Sequence, residues 1–380
     1  VTIRPSPSFW RKIHFWLGLV VLIPVVMWIV TGVGFALLPQ DEVNGRFESR
    51  GFDLPPVSLD SARIDPVRIP SILNSDAIGE IRNIQFFNHP LSGRAMYLVR
   101  FTRIDTPALI DAVAERVVPR FSETEVTEIA RRDFTGAGDV TGVEWISRRY
   151  QKGRDYGREL PVYRVNFSNR KQTRLYISPY TGKIISRRNV YMSAFDVIWD
   201  LHVFGWLTRD LQFNPGVLLF GVLSLVSVLA GMFLWRSHFS KSSAPNSVWR
   251  KTHVWLGLVI VIQVLLWIVG GVAFTLITNR NAGGVAESRF LKADPPPDEV
   301  IHRTPTPLPP LAIASVRVTP WQVPELLRQS KSAADTAQFE EVTLLAHGLD
   351  AKPAYLVRIR GERYPRIVSA ESGLAFPRLT

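Results

Sequence analysis

The sequence predicts an integral membrane α-helical protein with three transmembrane helices, joined to α+β modules outside the bilayer. Three observations carry this. No acid or base other than histidine lies between Lys12 and Asp41, between Asp210 and Arg236, or between Lys251 and Arg280, and those gaps hold 28, 25 and 28 residues. The run at 9–37, FWRKIHFWLGLVVLIPVVMWIVTGVGFAL, returns at 248–276 as VWRKTHVWLGLVIVIQVLLWIVGGVAFTL, with 18 of 29 positions identical. Elsewhere the pattern changes to alternating apolar residues broken by Gly and Pro, the signature of short antiparallel strands.

In chain order the expected elements are a cytoplasmic N-terminus at 1–12, a first transmembrane helix at 13–38, and an extracytoplasmic module at 39–121. A second module follows at 122–192, then an interfacial amphipathic helix at 193–213, rich in Trp and Phe, and a second span at 214–236. A basic cytoplasmic loop at 237–251, a third span at 252–278, a Pro-rich linker at 279–311 and a third module at 312–380 complete the chain. A bilayer core of about 30 Å needs roughly 20 apolar residues in a helix, and each run exceeds that. The first run is too long for a signal-peptide core and no small-residue cleavage pattern follows it, so it is expected to be retained. Arg4, Arg11 and Lys12 before the first span, and Arg236, Lys241, Arg250 and Lys251 between the second and third, set the orientation, because short basic flanks stay in the cytoplasm. Pro24 and its counterpart Gln263 place a helix-perturbing or polar residue at the same depth in both copies.

Composition removes several chemistries. There is no cysteine, which excludes thiolate nucleophiles, thiolate zinc sites and cysteine-ligated clusters. No phosphate-binding GxxxxGK[ST] run, GxGxxG or HExxH is present, and GAGDVTG at 136–142 has the wrong spacing for a dinucleotide fingerprint. The net charge of +12 fits contact with anionic headgroups or an anionic ligand, and no nucleic-acid motif accompanies it.

The modules repeat as well. PVRIPSIL at 66–73 matches PWQVPELL at 320–327, and Asn88-His89-Pro90 matches Ala346-His347-Gly348. YLVR at 97–100 matches 355–358, and both copies end in Pro-Arg, at Pro119-Arg120 and Pro377-Arg378. Each reads as a short helix followed by antiparallel strands. The second module opens on SETEVTEIARRDF, a helix with a serine N-cap, and continues through VEWISRRY, LPVYRVNF and TRLYISPYTGKIISRR as strands.

This order, with the duplicated WRKxHxWLGL run, the YRVxF…LYISPYTGKII ending and an LHxxG segment at Leu201, His202 and Gly205, resembles the PepSY-associated transmembrane proteins. Within them it is most similar to the siderophore reductases of the ferrioxamine type. The resemblance implies PepSY-like periplasmic modules, a bacterial inner (cytoplasmic) membrane location and haem b held by histidines. It also implies oxidoreductase activity, electron transfer to a ferric siderophore, of hydroxamate type, in the periplasm, and an unidentified electron donor. Relatives close with a fourth membrane helix after a second LH motif, which the run to Thr380 does not contain, so His202 has no symmetric mate.

A matched histidine is costly near lipid and usually faces protein, so His14 and His253 are the first candidate iron ligands. Gly18 and Gly257 follow four residues on, on the same helical faces, leaving room for a planar macrocycle. Two such faces opposed would fill both axial positions of an iron. The competing reading is a histidine at the headgroups, with glycine serving helix packing. His202, with Gly205 expected on its face, is the candidate for a second haem, its other ligand coming from another histidine, another residue type or a second protomer in a homodimer. Asp196 and Asp200 flank it as candidate imidazole acceptors. His89, His238, His302 and His347 are expected in structural or solvated positions, and Trp28 and Trp267 in packing. Two further functions stay open: a membrane-anchored binding or inhibitory module without enzymatic activity, and a ferric-siderophore carrier using the Pro24/Gln263 level.

Overall fold

The computed structural model describes residues 7–45, 47–51, 54–57, 64–73, 81–102, 104–147, 160–205, 215–239, 247–281, 310–330, 337–346, 352–362 and 365–376. They form two compact units, one helical and one built on β-sheet.

The helical unit contains α1 (Pro7–Leu37), α2 (Gln40–Val43), α5 (Val190–His202), α6 (Pro215–Phe239) and α7 (Val248–Asn281). Two helices, Ser8–Leu37 and Gly216–Arg236, are long and apolar enough to cross a membrane. A third span is present if the two halves of α7, Val248–Val259 and Val261–Gly271, are taken together across their 52° bend. Pro24 sits buried inside α1, which runs on through it, whereas the bend in α7 precedes Gln263 by a few residues. Proline is therefore not what breaks the symmetry of the two copies. A helix, α5, is present where the interfacial helix is expected, beginning at Val190, three residues before the expected start, and ending at His202; residues 206–213 of that interval lie outside the described residues.

In the sheet unit, after the short helix α3 (Ile69–Ile72), β1 (Ile81–Asn88), β2 (Ala95–Phe101), β3 (Ala108–Asp111) and β4 (Arg116–Val118) form one meander. A second consists of β9 (Phe339–Leu345), β10 (Ala354–Ile359), β11 (Arg366–Ser369) and β12 (Ala375–Phe376). The first and third expected modules are not separate bodies. β1 pairs antiparallel with β9, giving one eight-stranded sheet in the order β12-β11-β10-β9-β1-β2-β3-β4. The pairing is symmetric: Gln85 lies opposite Thr343, its own counterpart in the repeat, and Ile84 opposite Leu344 mirrors Phe86 opposite Val342. An unpaired apolar edge strand templates aggregation, and here each copy covers the other's edge. Tyr97 donates to the Ile64 carbonyl at 2.9 Å and Tyr355 to the Val318 carbonyl at 2.6 Å, the same bond in both copies. Burial pushes both phenols to higher pKa.

The other module, 122–190, has β5 (Val140–Ile146), β6 (Val162–Phe167), β7 (Arg174–Ile177) and β8 (Ile184–Arg188) in sequence order, beneath α4 (Glu123–Asp133). Ser122 caps α4, as the sequence indicated, and Glu125 returns the bond. Val126, Ile129 and Ala130 then join Phe87, Met96, Leu98 and Leu109 of the large sheet with Val165, Leu175 and Ile177 of the small one in a single core. Because Tyr97 and Val99 face the opposite core, β2 is apolar on both sides, which explains its unbroken run. The Pro-Tyr-Thr-Gly turn closes at Gly182, whose φ of 68° and close approach to Pro90 admit no side chain.

Just after α2, the chain is fastened to this module. Asp133, fully buried, takes both Arg187 Nε at 2.9 Å and Nη2 at 2.6 Å, plus the Ser49 hydroxyl at 2.7 Å. Glu48 accepts from Asn169 at 2.8 Å and Thr173 at 3.1 Å. The ion pair ties β8 to α4, and Ser49 joins it.

Candidate functional site

The repeat brings its two histidines together. The ring centres of His14 and His253 are 6.1 Å apart, with their planes inclined by 56°. Two imidazole nitrogens each about 2.0 Å from one shared metal place ring centres on the order of 6 Å apart, so this spacing suits a common ligand position. His14 Nδ1 lies 2.8 Å from the backbone carbonyl of Ser227 on α6. A carbonyl only accepts, so Nδ1 carries the proton and Nε2 keeps its lone pair. The ring reaches α6 because position 231 is glycine. A Cβ there would stand 2.9 Å from His14 Cε1 and 3.3 Å from Nδ1.

Gly18 and Gly257 do not play matching parts. A Cβ at Gly18 would meet Ser227 Oγ at 4.0 Å, which makes Gly18 part of the α1–α6 approach, the packing use of small residues in a membrane. Nothing described lies within 4 Å of a Cβ at Gly257. On the α6 side, Ser224 and Ser227 are both buried, so small side chains carry this contact.

Seventeen residues along α1, roughly 25 Å at 1.5 Å per residue, Thr31 meets His202 at the end of α5. Thr31 Oγ1 donates to the Met27 carbonyl at 2.6 Å and accepts from His202 Nδ1 at 2.8 Å. Its single proton is committed to its own helix, so His202 is again the Nδ1–H tautomer with Nε2 available. Trp28 Nε1 donates to the His202 carbonyl at 2.7 Å, tying the C-terminus of α5 to α1. The Phe35 ring stands edge-on to the imidazole at 5.4 Å, and Phe195 and Trp199 pack around Phe35. Burial lowers the His202 pKa, favouring the neutral ring. Gly34 lets α5 approach, since a Cβ would be 3.1 Å from Ile198 Cδ1.

Two expectations are corrected here. Gly205 does not share a helical face with His202: α5 ends at His202, Phe204 adopts φ 53°, and the Gly205 N–H closes the turn on the Asp200 carbonyl at 2.8 Å. The imidazole acceptor is Thr31 rather than Asp196 or Asp200. Trp28 packs, as expected, and also carries a hydrogen bond that Trp267, exposed on α7, has no α5 to make.

His89 has a structural role. It stacks on Phe121 at 4.5 Å, its Nδ1 accepts from the Leu91 and Ser92 amides at 3.3 Å, and Nε2 lies 3.4 Å from Glu125 Oε1. Its pKa is lowered because burial outweighs the attraction of Glu125. The His238 side chain, His302 and His347 lie outside the described residues.

The residues fit haem b at the first site: two imidazoles at ligand spacing, one with its tautomer fixed. The second site offers one imidazole with its outer nitrogen satisfied. Among the described residues no group of three or more His, Cys, Asp or Glu gathers as a cage for a bare metal ion. Sequence reasoning found the histidines but missed Thr31, Ser227, Gly231 and Gly34, whose roles arise from contacts across 171 and 213 residues of chain. The one available signal was that Thr31 and Gly34 differ from Gly270 and Ala273 in the second copy.

The family model for the PepSY-associated TM region matches residues 11–350. No curated protein and no solved structure matches the chain.

Proposed function

This chain belongs to the family defined by the PepSY-associated TM region, and from that premise we propose that it is a haem-b membrane reductase acting on ferric siderophores. The observation that supports this most is the His14–His253 pair, brought to 6.1 Å from positions 239 residues apart. Haem b, when bound, supplies a one-electron couple whose potential the protein tunes through its ligands and their hydrogen bonds.

The chain's own contribution is positional. Ser227 holds the His14 ring by Nδ1 and presents Nε2, while Thr31 does the same for His202 near the other end of α1. Gly231 and Ser227 of α6 back the His14 ring at the first site, and Phe35 covers one side of the second. No acid–base group is needed, because one electron converts ferric to ferrous iron and hard-oxygen chelators hold ferrous iron more weakly. In this reading the membrane is the bacterial inner membrane, with the N-terminus cytoplasmic and the sheet unit periplasmic. The ligand is a hydroxamate-type ferric siderophore and the electron donor is a separate component.

The test uses purified protein reduced with dithionite, freed of excess reductant, and mixed anaerobically with a ferric hydroxamate in the presence of a chromogenic ferrous chelator. The proposal expects the reduced haem bands to be lost as the ferrous complex appears in equal electron count. Reduced bands that persist, with no ferrous complex formed, would refute siderophore reduction. A colourless protein from haem-fed cells would favour the anchored binding module.

A further inference from the structure

The two histidines of the first site are held unequally, and we infer that His14 is the fixed ligand and His253 the exchangeable one. This rests on the haem reading above. His14 is fastened on three sides. Its Nδ1–H is committed to the Ser227 carbonyl at 2.8 Å, its ring lies against Gly231 where a Cβ would come within 2.9 Å, and α1 meets α6 at Gly18. Ser227 is itself buried, so the imidazole–carbonyl bond is sheltered from competing donors. Outer hydrogen bonds of this kind fix the tautomer and ring orientation, and losing one costs metal affinity about 10–100-fold.

His253 has none of this. Among the described residues its ring makes no hydrogen bond or ion pair, it is exposed, and Gly257 one turn on has nothing within 4 Å. It also rides on the Val248–Val259 half of α7, ahead of the 52° bend. Both tautomers and several ring rotations are open to it, so iron ligation by His253 carries an ordering cost that His14 has already met. The two histidines share Trp-Arg-Lys before them and Trp-Leu-Gly after, differing only in their immediate neighbours (Ile13 and Phe15 against Thr252 and Val254), and the contacts that fasten His14 come from α6. The structure thus assigns to the His253 side a coordination position that a small neutral ligand, such as carbon monoxide or imidazole, enters by displacing that side chain.

The test compares His14→Gly with His253→Gly, and Gly231→Ala with Gly257→Ala, in haem content, absorption spectrum and carbon monoxide binding of the reduced protein. His253→Gly should keep haem, bind carbon monoxide more readily, and regain the six-coordinate spectrum with added imidazole. His14→Gly and Gly231→Ala should lower haem retention by about 10–100-fold, and Gly257→Ala should leave it unchanged. Equal loss in the two histidine variants, or equal effects of the two alanine variants, would overturn the inference while leaving haem binding intact. Histidine nitrogen NMR on haem-free protein separates the two claims further. His14 should show a single Nδ1–H tautomer and His253 an averaged one; if both rings are averaged, or both are fixed, the asymmetry is wrong whatever the cofactor.

Discussion

The first membrane copy, 9–37, meets both α5 and α6, whereas the second, 248–276, packs on α6 and, among its described residues, not on α5. Identical residues do different work in them. His14 is pinned to Ser227 while, among the described residues, the His253 ring makes no hydrogen bond; Trp28 ties down α5 while Trp267 is exposed. Thr31 and Gly34 receive α5 where the second copy has Gly270 and Ala273. The sheet repeat behaves in the opposite way. There the two copies pair with each other, Gln85 opposite Thr343, and the Tyr97 and Tyr355 bonds are the same. Duplicated elements that complete one another stay equivalent. Duplicated elements that depend on an unrepeated third one, here α5 and α6, become unequal.

The largest expected effect breaks the fastening that the repeat does not duplicate. Asp133→Ala removes the buried acceptor of the half-buried Arg187 guanidinium and of the Ser49 hydroxyl and should cost about 3 kcal/mol, read as a lowered denaturation midpoint of the full chain in detergent. A change under 1 kcal/mol would mean that water reaches the pair. Next is Thr31→Val, which leaves the His202 Nδ1–H without its acceptor and should cost about 1–3 kcal/mol. Gly270→Thr at the matching place should gain nothing, because no α5 lies against it. The sheet offers the control: Tyr97→Phe and Tyr355→Phe should each cost about 1 kcal/mol, and equal values sharpen the contrast with the unequal histidines.

The smallest effect is on pH dependence. Burial lowers the His89 pKa from the ordinary imidazole value of 6.5, so the folded chain binds that proton more weakly than the unfolded one. Below about that pH the unfolded chain holds more protons, so stability falls as the medium is acidified. His89→Gln should flatten that step. Asp111 adds a second one at lower pH. Burial alone would raise its pKa, but the Ala114 and Val113 amides and Arg94 outweigh it and lower the value below 3.8. Its stabilisation is present above that value and lost on further acidification. Ser369 occupies the matching position, so only the first sheet copy should show it.

Much of this was legible in the sequence. The charge-free runs marked α1 and α6 and, if its two halves form one span, α7; Ser122 was readable as the cap of α4, and the matched histidines pointed to the pair at α1 and α7. The rest lacked a local signal. The β1–β9 joint depends on two edges separated by most of the chain, and neither edge's composition says what covers it. Ser227 acts through its backbone carbonyl, which every residue has. Gly231 matters through a Cβ it does not possess. Gly205 was misplaced because a helical period was extended past His202, where Phe204 turns the chain.

The most direct test of the central claim is the visible spectrum of the detergent-purified protein, air-oxidised and then dithionite-reduced, beside His14→Ala, His253→Ala and His202→Ala. The account predicts a Soret band that sharpens with split α and β bands on reduction in the wild type. It predicts loss of that signal in His14→Ala and an altered ligand state in His253→Ala. Protein absorbance alone from haem-supplied cells, or spectra indifferent to all three substitutions, would contradict it.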